Sequence, residues 1–255
     1  MRTVKLLIAF DGSGYCGWQR QKNGPTIQAE IEQALSVICN DDIVLHGAGR
    51  TDAGVHAEGM AAHFTTSSPV TAGNLLRGLN ALLPDAIRIL EATDRERDFH
   101  ARYSALGKTY RYTIFTGPVM PPCRRLYVHH VPVDLDFTSI RACLDFLVGT
   151  HDFSSFEATG SRDRKNENGR GAVRTMYRTE LYQYADSYVD LLFTGDGFLR
   201  HMVRNLTGTI IEVGKGKRNV EEFKRIFDYR DRSQAGTTAP ACGLSLIKVH
   251  YSKAW

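Results

Sequence analysis

Hydrophobic and polar positions in the first part of the chain predict an α+β fold. Val4 to Phe10 is a short run of mainly apolar residues, which is typical of a buried strand. Pro25 and Thr26 then open a helix, because apolar residues recur after them at helical spacing, at Ile27, Ile31, Ala34, Leu35 and Ile38. Strands are predicted at 43–49, 57–66 and 87–92, with a helix over 72–83 before the third. The order is βαββαβ.

The same order is predicted again from Lys108 onward. Strands are expected at 108–116, 126–131, 173–184, 188–194 and 244–251, and helices at 139–148, from Phe198 and from Val220. The chain therefore divides into two related ferredoxin-like halves, residues 1–105 and 106–255.

Composition narrows the class of protein. The chain has 255 residues, of which 42% are hydrophobic and 24% charged, so we expect a folded protein with a proper core. No apolar run approaches the ~20 residues of a membrane span, and the first ten residues lack the pattern of a signal peptide, which favours a cytoplasmic protein. The five cysteines are isolated, which argues against a disulfide framework or a zinc site.

Charge is distributed unevenly along the chain. Residues 1–105 carry 10 basic and 12 acidic side chains, and the remainder carry 22 and 16. The segment Gly160–Arg174 alone has five basic and two acidic residues among several glycines. This pattern favours an anionic partner held mainly by the second half, with the segment tracking phosphates. An ordinary solvated surface with a flexible loop is the alternative.

The sequence lacks complete motifs for nucleotide binding, metal binding and serine-hydrolase chemistry. Gly12, Gly14 and Gly17 match the dinucleotide-binding fingerprint, but no helix opens after the last glycine. A phosphate-binding loop ending at Lys108 would need a glycine where Arg102 stands. The histidines lack metal-binding spacing, and no G-x-S-x-G is present. The chemistry is therefore expected to use carboxylate, arginine and tyrosine side chains, without a metal.

One segment combines such residues with very small neighbours. Gly47–Ala57 places Arg50 and Asp52 among glycines and alanines, which would let a backbone or a flat ligand approach closely. The alternative is a tight turn in which Asp52 caps backbone N–H groups.

Two further sets of residues in the second half are candidates. Arg200 and Arg204 lie four apart on the helix predicted from Phe198, so they either bracket an anion or are two solvated side chains. Lys108, Tyr110 and Tyr112 share one face of a predicted strand by its two-residue period. They offer an aromatic plane beside a positive charge, or else ordinary sheet packing.

With these motifs together, the sequence resembles the TruA family of tRNA pseudouridine synthases over nearly its whole length. The hallmark G-R-T-D-x-G-V-H-A stands at 49–57. The other matching motifs are Phe10-Asp-Gly-x-x-Tyr15-x-Gly-Trp18-Gln, Asn80-x-x-Leu83-Pro84, Phe99-x-Ala-Arg102, Lys108-x-Tyr110-x-Tyr112, His151-Asp-Phe-x-x-Phe156, Phe198-Leu-x-x-Met-Val-Arg204-Asn and Ala239-Pro-x-x-Gly-Leu244. Eight motifs in one order are far more specific than any one of them.

The resemblance implies a pseudouridine synthase fold of two α/β lobes around a basic cleft. It implies a homodimer that converts uridine to pseudouridine at positions 38, 39 and 40 of the tRNA anticodon stem-loop, with neither cofactor nor metal. Asp52 would be the catalytic carboxylate, Arg204 its ion-pair partner and Tyr110 the ring that stacks on the target uracil. Leu244 would pack in the same pocket, and Arg50, Lys108 and Arg200 are the further substrate-binding candidates.

The sequence leaves the chemical route open. An ionised Asp52 can add to C1′ of the ribose or take a proton from C2′, and the Tyr110 hydroxyl is a candidate for the C5 proton. Arg50 can take the space of the target nucleotide when that nucleotide leaves its stack. Three other functions remain to be separated: an RNA-binding module without activity, a nucleoside glycosidase and a synthase acting on another RNA.

Overall fold

The chain forms two compact units. The computed structural model describes residues 1–160 and 170–253. Unit 1 comprises Met1–Leu106 and the C-terminal segment from Ser245, and unit 2 comprises Gly107–Leu244. The sequence analysis divided the chain after residue 105 and kept the last strand with the second half. The structure groups that strand with unit 1, because it pairs with a strand of unit 1.

Unit 1 is a mostly antiparallel sheet with two helices. Its elements are β1 (Arg2–Phe10), α1 (Ile27–Cys39), β2 (His46–Gly47), β3 (His56–Thr66), α2 (Ala72–Leu82), β4 (Ile87–Arg95) and β10 (Leu244–His250). β1 lies between β4 and β3 and is antiparallel to both. β3 also pairs with β2, and with β10 in parallel. The predicted βαββαβ order is confirmed, although the strand predicted at 43–49 is only two residues long.

The core of unit 1 lies on one face of this sheet. Val4, Leu6 and Ile8 alternate along β1 and are fully buried. The helices bury their apolar stripes as well, at Ile27, Ile31, Leu35, Leu75 and Leu79. The Thr26 side chain caps α1 by accepting a hydrogen bond from the backbone N–H of Ala29, as the sequence pattern predicts.

Unit 2 combines mostly antiparallel strands with helices. Its elements are β5 (Gly107–Phe115), β6 (His129–His130), α3 (Phe137–Leu147), β7 (Gly149–Asp152), β8 (Val173–Gln183), β9 (Tyr188–Gly195), α4 (Met202–Gly214) and α5 (Val220–Tyr229). β5, β9, β8 and β7 are antiparallel neighbours in that order, and β6 pairs in parallel with β5. The α+β class is confirmed, and the predicted strand at 126–131 is reduced to β6.

The helix predicted from Phe198 begins four residues later than expected. His201 has a left-handed backbone, with φ 62°, and this conformation stops a right-handed helix from running through it. Its carbonyl accepts the first helical hydrogen bond, from Asn205, so α4 starts at Met202. Arg200 lies in the preceding turn and not one helical turn before Arg204. The argument from their helical spacing was therefore wrong.

Three other sequence expectations meet the structure as follows. All five cysteines are free thiols. Among the described helices, none has the length and apolar character that crossing a bilayer requires. The predicted basic segment Gly160–Arg174 falls largely on residues 161–169, which lie outside the described residues. At its end, Arg170 forms an ion pair with Asp196.

Candidate active site

The Asp52 segment follows β2 and is held by glycines of the loop after β1. A Cβ on Gly12 would lie 2.0 Å from the carbonyl oxygen of Val55. A Cβ on Gly17, where φ is +92°, would lie 2.5 Å from the carbonyl oxygen of Thr51. Two backbones therefore touch on both sides of Asp52, which only glycine permits. These contacts explain two of the three glycines in the pattern that failed as a dinucleotide site, Gly12 and Gly17, but not Gly14.

A buried tryptophan supports the same segment. Trp18 is 2% exposed, and its ring is so close to Gly47 that a Cβ there would lie 2.7 Å from it. The backbone N–H of Trp18 donates to the carbonyl of Thr51 at 3.1 Å. Trp18 stands in one of the family motifs, but the sequence alone gives no indication of its role. Its role is to fix the start of the Asp52 segment through packing and one hydrogen bond.

Arg50 is fixed by a polar network that sequence reasoning missed. Its Nε donates to Gln19 Oε1 at 2.9 Å, and Gln19 Nε2 donates to Gln28 Oε1 at 2.9 Å. Gln28 and Glu32 lie buried on α1, and Gln28 Nε2 donates to Glu32 Oε1 at 3.0 Å. Arg50 is itself exposed, so its guanidinium is held at Nε while it faces solvent. Asp52, two residues later, is partly exposed.

In unit 2, Tyr110 lies on β5 and is oriented by another ring. It is 8% exposed and packs edge-to-face with Phe198, with ring centroids 5.0 Å apart and planes at 79°. Such a contact fixes the plane of the Tyr110 ring. Phe198 opens the motif that contains Arg204, so the motif supplies an aromatic support as well as a cation. Sequence spacing alone gives no signal of this pairing.

Tyr112 differs from Tyr110, although both share a face of β5. Its side chain is 0% exposed, and its hydroxyl donates to the carbonyl of Pro240 at 2.8 Å. Burial raises the pKa of Tyr112 far above its ordinary value, so the hydroxyl remains a donor. A Cβ on Gly243 would lie 2.7 Å from the Tyr112 ring, which makes the fit close. The hydrogen bond and the close fit together hold the segment before β10 in place, and we call this contact the clamp. Tyr112 therefore does not offer a stacking surface.

Arg204, in the first turn of α4, forms hydrogen bonds with the same segment. Its Nε donates to the carbonyl of Ala239 at 2.8 Å, and its own carbonyl accepts from Ala239 N at 3.1 Å. One residue on, the Asn205 side chain accepts from Arg232 and Thr238 at 3.1 and 2.6 Å. The backbone before Leu244 is thus tied to α4, and Arg204 is positioned by it.

We expect Tyr112→Phe to weaken the clamp. The change leaves the Pro240 carbonyl without this donor and should lower the free energy of unfolding by about 1 kcal/mol. If the clamp positions Arg204, kcat should fall about fivefold or more while KM changes little. Urea unfolding and steady-state kinetics measure the two effects. Tyr229→Phe, at an exposed tyrosine, is the control, and equal behaviour of the two variants would contradict the clamp.

The remaining candidates occupy different positions in unit 2. Leu244 is 5% exposed and begins β10 directly after the clamped segment. Lys108 is partly exposed on β5. Arg200 is exposed in the turn before α4, and its backbone carbonyl accepts from Ala158 N at 2.9 Å. Tyr110, Arg204 and Leu244 are therefore each held by a defined contact or by burial, whereas Arg200 faces solvent.

Each unit offers chemical groups that are held in place. Unit 1 supplies a carboxylate on a backbone that close packing prevents from shifting, and unit 2 supplies an oriented aromatic ring and an anchored guanidinium. Within residues 1–160 and 170–253, no three His, Cys, Asp or Glu side chains are grouped as a metal site. A fixed carboxylate suits nucleophilic or general-base catalysis, and a fixed ring suits a flat base.

Comparison with known proteins identifies the family. A family model described as tRNA pseudouridine synthase matches residues 6–104 and 144–252. A protein named tRNA pseudouridine synthase A 1 from Desulfotalea psychrophila is 52% identical over 251 residues, which cover 98% of this chain and 100% of the relative. Proteins named tRNA pseudouridine synthase A are 43% identical in Acetivibrio thermocellus, over 98% of this chain and 100% of the relative, and 42% identical in Syntrophotalea carbinolica, over 99% and 97%. The chain therefore belongs to the tRNA pseudouridine synthase family, as its sequence motifs indicated.

Proposed function

We propose that this enzyme isomerises uridine to pseudouridine at positions 38, 39 and 40 of the tRNA anticodon stem-loop, with Asp52 as its catalytic carboxylate. The observation that carries the proposal is the segment at 49–57, in which glycine contacts at Gly12 and Gly17 immobilise the backbone on both sides of Asp52. A carboxylate that must act at one atom of a sugar needs such a rigid support.

The reaction exchanges one bond for another within a single nucleotide. The N1–C1′ bond breaks, the uracil turns, C5 bonds to C1′, and the proton lost from C5 is balanced by the proton gained at N1. Substrate and product are isomers, so no atom or electron is added. Asp52 acts at C1′ as a nucleophile or at C2′ as a base, and each route needs the carboxylate ionised.

Arg204 and Tyr110 take the supporting roles in this proposal. Arg204 pairs with Asp52 and keeps it charged, while the Ala239 carbonyl anchors the guanidinium at Nε. Tyr110 stacks on the uracil after N1–C1′ cleavage, since its ring is already oriented by Phe198. Leu244 supplies an apolar wall beside the base.

Three basic side chains serve the RNA backbone. Arg50 braces the strand from which the target nucleotide leaves, and Gln19 holds its guanidinium for this purpose. Lys108 and Arg200 contact phosphates, and Arg200 is exposed as that role requires.

Product analysis tests the proposal against its rivals. Purified enzyme is incubated, with EDTA present, with a tRNA transcript labelled with tritium at C5 of its uridines. We expect tritium release and pseudouridine in the digested RNA, with no free uracil. Free uracil would indicate a glycosidase, and RNA binding with no product would indicate a binding module or a different target.

We expect two changes at Tyr110 to separate its ring from its hydroxyl. Tyr110→Phe keeps the stacking plane, so tRNA affinity should stay within about twofold, and kcat falls only if the hydroxyl handles the C5 proton. Tyr110→Ala removes the plane and should lower kcat by about 100-fold or more. Single-turnover rates measure both, and a fully active Tyr110→Ala would contradict the stacking role. Tyr184→Ala, at an exposed tyrosine elsewhere in unit 2, is the control.

We further propose that the enzyme acts as a homodimer in the cytoplasm, with tRNA as its partner and without cofactor or metal. Sedimentation equilibrium should then give twice the chain mass of 28.5 kDa. A mass of one chain at micromolar concentration would contradict the dimer.

A further inference from the structure

Four aromatic rings form a stack in unit 1, apart from the Asp52 segment. We name His46, His63, His100 and Tyr103 the histidine stack. Ring centroids are 5.1 Å apart between His46 and His63, 4.5 Å between His63 and His100, and 4.2 Å between His100 and Tyr103. His63 is buried, whereas Tyr103 is 77% exposed. The stack thus reaches from the buried His63 ring to the exposed Tyr103 ring, and His46 on its other side is also exposed.

The histidine stack lies on the sheet face away from the helices. His63 on β3 is the cross-strand partner of Lys5 on β1 and of His46 on β2. Cross-strand partners share a face, and Lys5 alternates with the buried row of Val4 and Leu6. None of the four stack residues belongs to the Asp52 segment at 49–57, so the stack is a separate candidate surface.

The His63 and His100 rings are fixed as uncharged planes. His63 Nδ1 accepts a hydrogen bond from Ala101 N at 3.1 Å. His100 Nδ1 accepts from Arg102 N at 3.1 Å and from Tyr103 N at 3.3 Å. Burial, together with the neighbouring histidines, lowers the pKa of His63 to about 4, and burial also lowers the pKa of His100. The 100–103 turn is thus built around neutral aromatic rings at neutral pH.

Charge surrounds the exposed end of the stack. The Arg102 guanidinium lies 5.8 Å from the centroid of the Tyr103 ring, and Arg102 is exposed. Arg97, also exposed, adds a second cation in the same loop, where Glu96 and Asp98 are the acidic neighbours. An exposed ring with a guanidinium beside it matches a nucleobase and its phosphate. The charged rim is less suited to a contact with another copy of the chain, because protein interfaces exclude charge from their centres.

We propose that the histidine stack binds an unpaired nucleotide of the tRNA other than the target uridine, with its base on Tyr103 and its phosphate at Arg102. This inference rests on the proposed function, since it extends the substrate contact of the same enzyme. In this proposal the stack contributes to tRNA affinity, whereas the Asp52 segment carries out the chemical step.

Binding of a tRNA transcript to Tyr103 variants tests the proposal. Tyr103→Ala should raise the Kd about tenfold, because base–aromatic stacking is lost, while kcat at saturating tRNA stays unchanged. Tyr103→Phe keeps the plane and should bind within about twofold of the wild type. Tyr229→Ala, at another exposed tyrosine on α5, is the matched control and should bind normally. Indole fluorescence of a Tyr103→Trp variant should be quenched when the tRNA is added.

Two results would overturn the proposal. The first is wild-type affinity in Tyr103→Ala, with no quenching in Tyr103→Trp. The second is a Tyr103→Ala protein that sediments as a smaller species and binds tRNA normally once assembled, which would make the stack a contact between copies. Pseudouridine formation by the wild-type enzyme is measured in a separate assay. An enzyme that binds through Tyr103 but forms no pseudouridine would overturn the proposed function alone.

Discussion

Asp52→Asn should abolish pseudouridine formation while leaving tRNA binding intact. The amide has almost the same shape as the carboxylate, so the glycine contacts around it are preserved. It cannot act as a nucleophile at C1′ or as a base at C2′, and we expect kcat to fall roughly 10⁴-fold or more. Single-turnover assays with excess enzyme measure the loss, and filter binding measures the affinity, which should stay within about twofold.

The control for this change is another aspartate of unit 1. Asp41→Asn alters an exposed residue after α1 and should be fully active. A loss of less than tenfold in Asp52→Asn would show that another group performs the chemistry. Loss of both binding and activity would show that Asp52 supports the fold, and it would remove the reason for placing catalysis there.

Gly12→Ala should damage the enzyme through packing alone. Its new Cβ would lie 2.0 Å from the Val55 carbonyl oxygen, so one of two backbones must move. We expect a loss of about 3 kcal/mol in unfolding free energy and a fall of roughly 5–10 °C in Tm. Because the displaced backbone carries Asp52, kcat should also fall about 100-fold. Thermal unfolding and single-turnover rates measure the two effects.

Gly14→Ala, two residues away, is a closely matched control. A Cβ at Gly14 would meet no atom within 4 Å, so Tm and kcat should both stay close to wild type. If Gly12→Ala were as active and as stable as Gly14→Ala, the backbone contact would not position Asp52. A Gly12→Ala protein that is less stable but has normal kcat would separate support of the fold from support of catalysis.

Periodic positions were the most predictable part of the fold. The strands β1, β3, β8 and β9 follow from short runs rich in apolar and β-branched residues, and the helices α1, α2 and α3 follow from helical apolar spacing. Each segment encodes these patterns locally. The start of α4 could not be predicted, because Phe198–Val203 has a helical apolar pattern. The left-handed backbone of His201 overrides that pattern. The brief strands β2 and β6 depend on partners distant in sequence, which no local pattern reveals.

In the candidate site, too, some residues could be predicted from the sequence and others could not. Residue type and motif are enough to predict Asp52, Arg204 and Tyr110 as candidate site residues. The supports for these residues were out of reach, because Gly12 against Val55 and Tyr112 against Pro240 are contacts across 43 and 128 positions. Tyr110 and Tyr112 have the same strand spacing. Only their contacts distinguish them, because Tyr110 packs against the Phe198 ring whereas the Tyr112 hydroxyl donates to Pro240.

The most direct test of the central claim is to map pseudouridine at single positions. Three tRNA transcripts, each with uridine only at 38, 39 or 40 within the anticodon stem-loop, are incubated with the wild-type enzyme and with Asp52→Asn, and modified positions are read by chemical labelling. We predict pseudouridine at each of the three positions with the wild type and at none with Asp52→Asn. Modification by Asp52→Asn, or wild-type modification only outside these positions, would contradict the account.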